Sequence, residues 1–443
     1  MTRPRWTVAG ALLAALALTA DPAAAHDHTS RGRLVFADHE APVVSVLDLD
    51  TGKVTHSFPI TKADPALIGT EGGRFVVIRT GDDAGTIRLL DSGLFFESHE
   101  DHFDIEKGEV RLLDLVLTGD KPSHVVSEKG WLTVFFDGQR PWLGKSDPKI
   151  VALRLDALDR GTAEPEVWPA PAPQHGIAVP LGGDRFLVSV SKEAYAKGDD
   201  RSVSSRPNGF EILDRSQGWK AVASFNDASD SDRSCKEFHG HAALGETHVF
   251  GCNPRIEGSA ASDGGVLVIG PGPDGAWGSR KLAYPDGRRA STIKGRAAGR
   301  YLVANYGGEN GRPFEALLRI DPTADALAAA DVFPIPAGQA VCQYEVTNDG
   351  RRVVNLTQDG KLRVYDIAPE WKAVAEFDAV PAFDCAWDAA TPAPAVAIIG
   401  NSAFVSDPEN GRIREFYLNS LKQGLDVPVG GKPSAIAGGA AAG

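Results

Sequence analysis

A recurring rhythm of short runs constrains this chain more than any other feature. Again and again a Gly turn precedes a strand-like run. Gly72-Gly73 precedes Phe75-Val76-Val77-Ile78, Gly130 precedes Trp131 to Phe136, and Gly182-Gly183 precedes Phe186-Leu187-Val188. Gly299 before Tyr301-Leu302-Val303 and Gly350 before Val353-Val354 repeat it. Each unit then offers a run that ends in Asp: Val46-Leu47-Asp48, Leu89-Leu90-Asp91, Ile212-Leu213-Asp214, Ile320-Asp321 and Val364-Tyr365-Asp366. A further run closes many units, such as Lys53 to Ile60 or Trp371 to Phe377. Short runs bounded by turn residues read as strands, and four of them per repeating unit is the pattern of an all-β chain folded as a single β-propeller. Inner strands are predicted to begin near Ala66, Ser123, His175, His239, Ser291, Cys342, Asp384 and Lys432. That makes eight blades, or seven if one unit has been split in two.

Ring closure follows from what is left over. The run at 432–438 lacks partners of its own, and the three runs within 32–60 lack an inner strand. Pairing them closes the ring and protects both edges. The organisation expected is a signal peptide over 1–25, a flexible His-containing N-terminus over 26–31, the propeller over 32–438 and a disordered tail over 439–443. Residues 92–108 and 226–238 stand out as insertions. The Ala-rich stretch Thr323 to Ala330 is short and reads as a surface turn.

The leader assignment rests on Arg3 and Arg5, an apolar run from Val8 to Ala20 too short to span a bilayer, and the small residues Ala23-Ala24-Ala25 before a cleavage point. It implies export to the periplasm and a mature protein that is not membrane-embedded. A formal net charge of −13 carries no footprint for phosphate backbones, so nucleic acid is excluded as a partner. The four cysteines are an even set, as expected of disulfides in an exported protein. Of three pairings, Cys235–Cys252 and Cys342–Cys385 are chosen because each ties neighbouring strands. No C-x-x-C spacing supports a thiolate metal site.

Familiar catalytic motifs are missing. His99-Glu100-Asp101-His102 is one residue short of H-E-x-x-H, and Gly144-Lys145-Ser146 has Gln139 where a phosphate loop needs Gly. No G-x-S-x-G elbow occurs. The eleven histidines are the informative residue type. His124, His175 and His239 each sit at the start of an inner strand in three successive units, and His175-Gly176 and His239-Gly240 share the following Gly. Inner-strand starts ring the mouth of a propeller channel, so three imidazoles should point at one another. Zinc takes about four N, S or O ligands, and a residue from the 98–104 loop would complete the set. His102 and Asp104 are two apart and face one side of an extended segment. The primary metal candidates are therefore His102, Asp104, His124, His175 and His239. That loop raises a difficulty of its own: if 92–108 joins third to fourth strands, it starts on the face opposite the imidazoles. Simple packing is expected for His241, a second-strand position without a role for His248, an outer strand for His56 and a surface turn for His39.

Cleavage after Ala25 would leave a free amine before His26-Asp27-His28, a set able to hold Cu(II) or Ni(II), or zinc weakly. His26, His28 and His99 are the secondary, relay candidates. With the initiator as its single Met, the chain lacks the thioethers that Cu(I) favours.

Taken in order, the export signal, the His-x-His terminus, the acidic loop Ser98 to Asp104, Lys121-Pro122-Ser123-His124, His175-Gly176-Ile177-Ala178-Val179-Pro180 and Cys235…His239-Gly240 resemble the AztD family. That family comprises periplasmic zinc metallochaperones that hand Zn(II) to AztC, the solute-binding protein of an ABC zinc importer. The resemblance implies a β-propeller, zinc as the metal, a transfer role and an AztC-like partner, with no enzyme activity. A monomer is expected. The alternatives are an exported propeller enzyme, lactonase-like or quinoprotein-like, with a metal in its channel and Glu100 or Asp101 as base, and a metal-free interaction scaffold.

A chaperone must hold zinc tightly yet release it faster than free dissociation allows. In this reading the channel histidines store the ion and the mobile histidines relay it. Deleting residues 26–28 should leave equilibrium zinc affinity nearly intact and slow transfer, measured by stopped-flow with a fluorescent zinc indicator. Transfer at the full rate removes that segment from the relay; a collapse of affinity makes His26 and His28 primary ligands.

Overall fold

In a computed structural model of the chain, the residues described are 30–98, 103–226, 234–253, 264–307, 314–386, 388–389 and 391–438. They form eight four-stranded antiparallel sheets and one two-stranded hairpin. The sheets are the blades of an eight-bladed β-propeller. Blade 1 takes its inner strand, Pro433–Gly438, from the C-terminal end and its other three, Arg33–Asp38, Val43–Asp48 and Lys53–Pro59, from the N-terminal end. Leu34 lies opposite Gly438, Val35 opposite Ala437 and Phe36 opposite Ile436. The ring closes as the leftover runs require.

The inner strands of blades 2 to 8 are Ala66–Gly69, Pro122–Glu128, Ala178–Gly182, His239–Leu244, Arg289–Lys294, Val341–Val346 and Val396–Ile399. Seven of the eight lie within about three residues of the expected starts. Blade 8 is the exception: Asp384 does not begin it, and the strand starts twelve residues later, at Val396. Pro392 and Pro394 lie in the intervening stretch, and a ring nitrogen without a proton cannot serve a ladder there. Each inner strand begins on what we term the upper face. In an antiparallel blade the third strand then ends on the lower face.

The Asp that ends so many third strands has a mechanical role. Asp48, Asp91, Asp214 and Asp321 each accept a hydrogen bond from the backbone N–H two residues ahead, at 3.2, 2.9, 3.0 and 2.9 Å. These are Asx turns, which reverse the chain into the fourth strand. Middle strands such as Trp131–Phe136 are buried throughout, whereas outer strands such as Lys220–Phe225 are mostly exposed. The core is therefore a series of layers between blades. One such layer packs Val249 and Val266 of blade 5 against Leu302 and Leu318 of blade 6.

The insertion at 92–108 joins the third and fourth strands of blade 2. It forms a hairpin of Leu94–Ser98 and Phe103–Lys107 on the lower face, where Lys107 Nζ pairs with Asp48 and Asp50. The Ala-rich stretch holds only a single 3-10 turn, Ala329–Asp331. The leader, residues 26–29 of the His-containing terminus, the tail and most of the 226–238 insertion lie outside the described residues. Among the described residues no helix is long and apolar enough to cross a membrane.

Both chosen disulfides are present. Cys235–Cys252, with Cα atoms 4.9 Å apart, ties the approach to the inner strand of blade 5 to the end of its second strand. Cys342–Cys385, at 5.5 Å, ties the inner strand of blade 7 to the proline-rich connection before blade 8. Neither cysteine of the first pair is accessible. Closing a loop of this size restricts the unfolded chain by about 3 kcal/mol. The double variant Cys235→Ala/Cys252→Ala should lose about that much stability in urea unfolding, with the propeller's circular dichroism retained in water.

Candidate metal centre

Three inner-strand starts converge at the upper mouth of the channel. His124 stands third in the inner strand of blade 3, His175 three residues before that of blade 4, and His239 first in that of blade 5. One ring nitrogen from each lies within 4.8 Å of the others. Ring centroids are 4.7 Å apart for His124 and His175, 5.9 Å for His175 and His239, and 6.2 Å for His124 and His239.

Every one of these rings is held by its Nδ1. His124 Nδ1–H donates to the Gly176 carbonyl at 2.8 Å, and His175 Nδ1–H to Asp137 Oδ2 at 2.8 Å. His239 Nδ1–H donates to the Ser291 carbonyl at 2.9 Å. Three Nε2 lone pairs are thereby left to face the channel, each in the tautomer a metal needs, and outer-shell acceptors of this kind typically orient metal-binding imidazoles. Asp137 also accepts from the Gly176 N–H at 3.2 Å and from Ser123 Oγ. Its carboxylate is committed to positioning.

The two His-Gly pairs now have a physical reason. A Cβ at Gly176 would stand 2.3 Å from the Phe135 ring, and one at Gly240 would stand 2.2 Å from the Ser291 carbonyl oxygen. Gly240 also has φ +84°, and the ladder shifts register between His239 and His241 at that point. Both glycines let the neighbouring blade approach closely enough to anchor an imidazole.

Burial sets the protonation state. Loss of water pushes His124 down to about 4 and His239 down to about 3, the charge of Arg206 adding to the effect at His239. Both rings are neutral near pH 7 and ready to ligate without first shedding a proton.

Asp104 is not among the converging groups. It lies on the lower-face hairpin, paired with Glu97, whereas the three imidazoles crowd the upper mouth. The difficulty foreseen for the 92–108 insertion is thus real for Asp104: it leaves blade 2 from the end of a third strand. His26, His28, His99 and His102 fall outside the described residues. His39 sits in an upper-face turn, bonded to Asp64 at 3.1 Å and to the Ala393 carbonyl at 3.0 Å, and His56 lies on the exposed outer strand of blade 1.

A second constellation went unread in the sequence. Glu128 at the end of the blade 3 inner strand, His241 of the blade 5 inner strand and His248 of its second strand bring one ligand atom each within 4.8 Å of one another. His241 Nε2 and His248 Nδ1 are 3.2 Å apart. Burial pushes Glu128 up to about 7 and His248 down to about 4.

No family model matches the chain. The zinc chaperone AztD of Citrobacter koseri is 28% identical over 425 residues, spanning 94% of this chain and 89% of that protein. The crystal structure of Citrobacter koseri AztD superposes with a TM-score of 0.73 at 27% identity, covering 91% of this chain and 96% of that one. The chain is AztD-like. A structure of apo AztD from the same organism matches at a TM-score of 0.71 over the same shares of each chain. The likeness to AztD extends over most of the chain.

Burial of these histidines has a pH signature in the metal-free protein. His124, His239 and His248 are depressed in the folded state, so below the ordinary value of 6.5 the unfolded chain takes up protons the folded one refuses. Their stabilising effect is complete above pH 6.5 and is lost as pH falls toward about 4. His241, also lowered, acts in the same sense, while the raised Glu128 and His39 oppose it. The urea midpoint of the metal-free protein should therefore fall between pH 6.5 and 4. His239→Gln should remove about one proton from that linkage, read from the slope of stability against pH.

Proposed function

We propose that this protein is a periplasmic zinc chaperone: it binds Zn(II) at His124, His175 and His239 and delivers it to the solute-binding protein of an ABC zinc importer. The observation that carries this reading is the triangle of Nε2 lone pairs, each fixed by an acceptor on Nδ1. Neutral imidazoles suit zinc, which accepts tetrahedral geometry with ligands about 2.0–2.1 Å away. Tetrahedral ligands at that distance lie about 3.3 Å from one another, so ligand atoms already within 4.8 Å need draw together by no more than about 1.5 Å around the ion.

Three protein ligands leave a fourth position. A partner's side chain entering from the upper mouth would take it first and then displace the imidazoles one at a time. Export agrees with both disulfides, which persist in an oxidising compartment. A role in binding rather than turnover agrees with Asp137, whose oxygens are engaged by His175, Gly176 and Ser123 rather than available to a water. The printed name of the Citrobacter koseri relative, a zinc chaperone, supports the same cargo. We take the working unit to be a monomer.

His124→Ala or His175→Ala should weaken zinc binding by at least about tenfold, the scale seen when a metal site is damaged. The measurement is competition with a chelator of known affinity. Zinc-loaded protein mixed with the candidate solute-binding protein should pass its ion on faster than it loses zinc to the chelator alone. Unchanged affinity in both variants, or transfer no faster than dissociation, overturns the proposal.

A further inference from the structure

Two loops of blades 3 and 4 rise from the upper rim beside the three-histidine mouth. Residues 138–148 join the second and third strands of blade 3, and residues 191–208 those of blade 4. We propose that these paired loops, crested by Leu143, are the docking surface for the zinc acceptor, a protein whose empty metal site is entered between carboxylates. The inference rests on the zinc-chaperone reading and adds where the acceptor sits and what recognises it.

An apolar crest on a braced base comes first. Leu143 is 65% exposed, more than any other large apolar side chain among the described residues. A single exposed leucine is ordinary; one presented on a fixed support is not. Leu143 ends a 3-10 turn, Pro141–Leu143. Next to it, Trp142 packs edge-on against the buried Tyr195, with ring centroids 5.9 Å apart. Tyr195 lies in the short helix Glu193–Lys197 of the other loop. Pro141 comes so near Gly198 that a Cβ on the glycine would stand 3.0 Å from it. The two loops therefore support each other, and a crest already ordered loses little freedom on binding.

Charge selects the partner. The two loops carry six basic and four acidic side chains, in a chain whose formal net charge is −13. Glu193 is answered by Lys197 at 2.5 Å. Arg140 and Lys145 flank the crest, and both are exposed. A protein that accepts Zn(II) presents imidazoles and carboxylates, and while empty its entrance is electronegative. Such an entrance is drawn to this rim and repelled by the net-acidic remainder of the surface. Filling it adds the ion's own positive charge, so the attraction fades once the acceptor is loaded.

Both loops are fastened to His175. Asp137, at the root of the first, accepts from His175 Nδ1–H at 2.8 Å, and the Ser205 carbonyl of the second accepts from the His175 backbone N–H at 2.8 Å. Ser205 is also hydrogen-bonded to Tyr195. The next residue, Gly176, supplies the carbonyl that orients His124. A load on the crest is thus carried to two of the three imidazoles, while His239, anchored on blade 6, keeps its hold. Docking here loosens the ion where a receiving ligand is at hand.

The test is stopped-flow transfer from the zinc-loaded protein to the candidate solute-binding protein, with the acceptor concentration varied. Leu143→Asp and the pair Arg140→Glu/Lys145→Glu should each raise the acceptor concentration that gives half-maximal rate by at least about tenfold. Zinc affinity and the rate of loss to a chelator should stay unchanged, since these side chains do not touch the ion. Val167→Asp, at a 55% exposed position on the outer strand of blade 3, is the control and should transfer as the unsubstituted protein does. Unchanged half-saturation in Leu143→Asp, or equal slowing in Val167→Asp, overturns the docking surface alone. Transfer by the unsubstituted protein no faster than dissociation overturns the chaperone reading and the docking surface with it, so the two failures are told apart.

Discussion

Everything in this molecule depends on one strand pairing. Blade 1 is built from both ends of the propeller, with Pro433–Gly438 hydrogen-bonded to Arg33–Asp38. Without that ladder, Pro433–Gly438 and Arg33–Asp38 would both be left as unpaired edges, and the circle of sheets could open. With it, the radius of the ring is set, and so is the distance across the channel. Lys432 N–H donating to Asp38 at 2.7 Å, and His39 N–H to the Lys432 carbonyl at 2.9 Å, secure the same seam at the upper face. A channel of fixed width is the precondition for a metal site assembled from separate blades, since no local segment of chain carries all three imidazoles.

On that frame the imidazoles are oriented by a repeated device. The ring of His124 in blade 3 is bonded to the Gly176 carbonyl of the blade 4 approach, and that of His239 in blade 5 to the Ser291 carbonyl of blade 6. His175 reaches back to Asp137 of blade 3. Glycine makes the approach tight enough in both His-Gly pairs. Burial keeps the His124 and His239 rings neutral, and the Nδ1 anchors orient all three imidazoles in advance of any ion.

The repeat is what made the upper site legible in sequence. His124, His175 and His239 occupy related positions in successive units, so the propeller's geometry could be used to bring them together before any coordinates were considered. The same logic located blade 1 at the two ends of the chain. It failed where the periodicity was interrupted. The proline-rich connection before blade 8 lengthened a loop and displaced the expected strand from Asp384 to Val396. Asp104 was drawn toward the histidines by its spacing from His102, whereas its hairpin leaves blade 2 from the end of the third strand and so lies on the lower face. Glu128 and His248 gave no signal at all. One ends an inner strand and the other opens a second strand, and they meet only because blade 3 and blade 5 are neighbours across the channel sector.

The tethering of each ring to a different sheet has a mechanical corollary. A ligand triangle whose corners are fastened across blade boundaries is a gauge of the spacing between sheets. Slide one blade along the channel axis by a fraction of an ångström, and an acceptor on Nδ1 moves with it, turning the ring and carrying Nε2 off the common point. Shear between blades and grip on the ion are therefore one coordinate. In the proposed chaperone, a partner that docked on the upper rim and wedged two blades apart would loosen a bound ion without touching it.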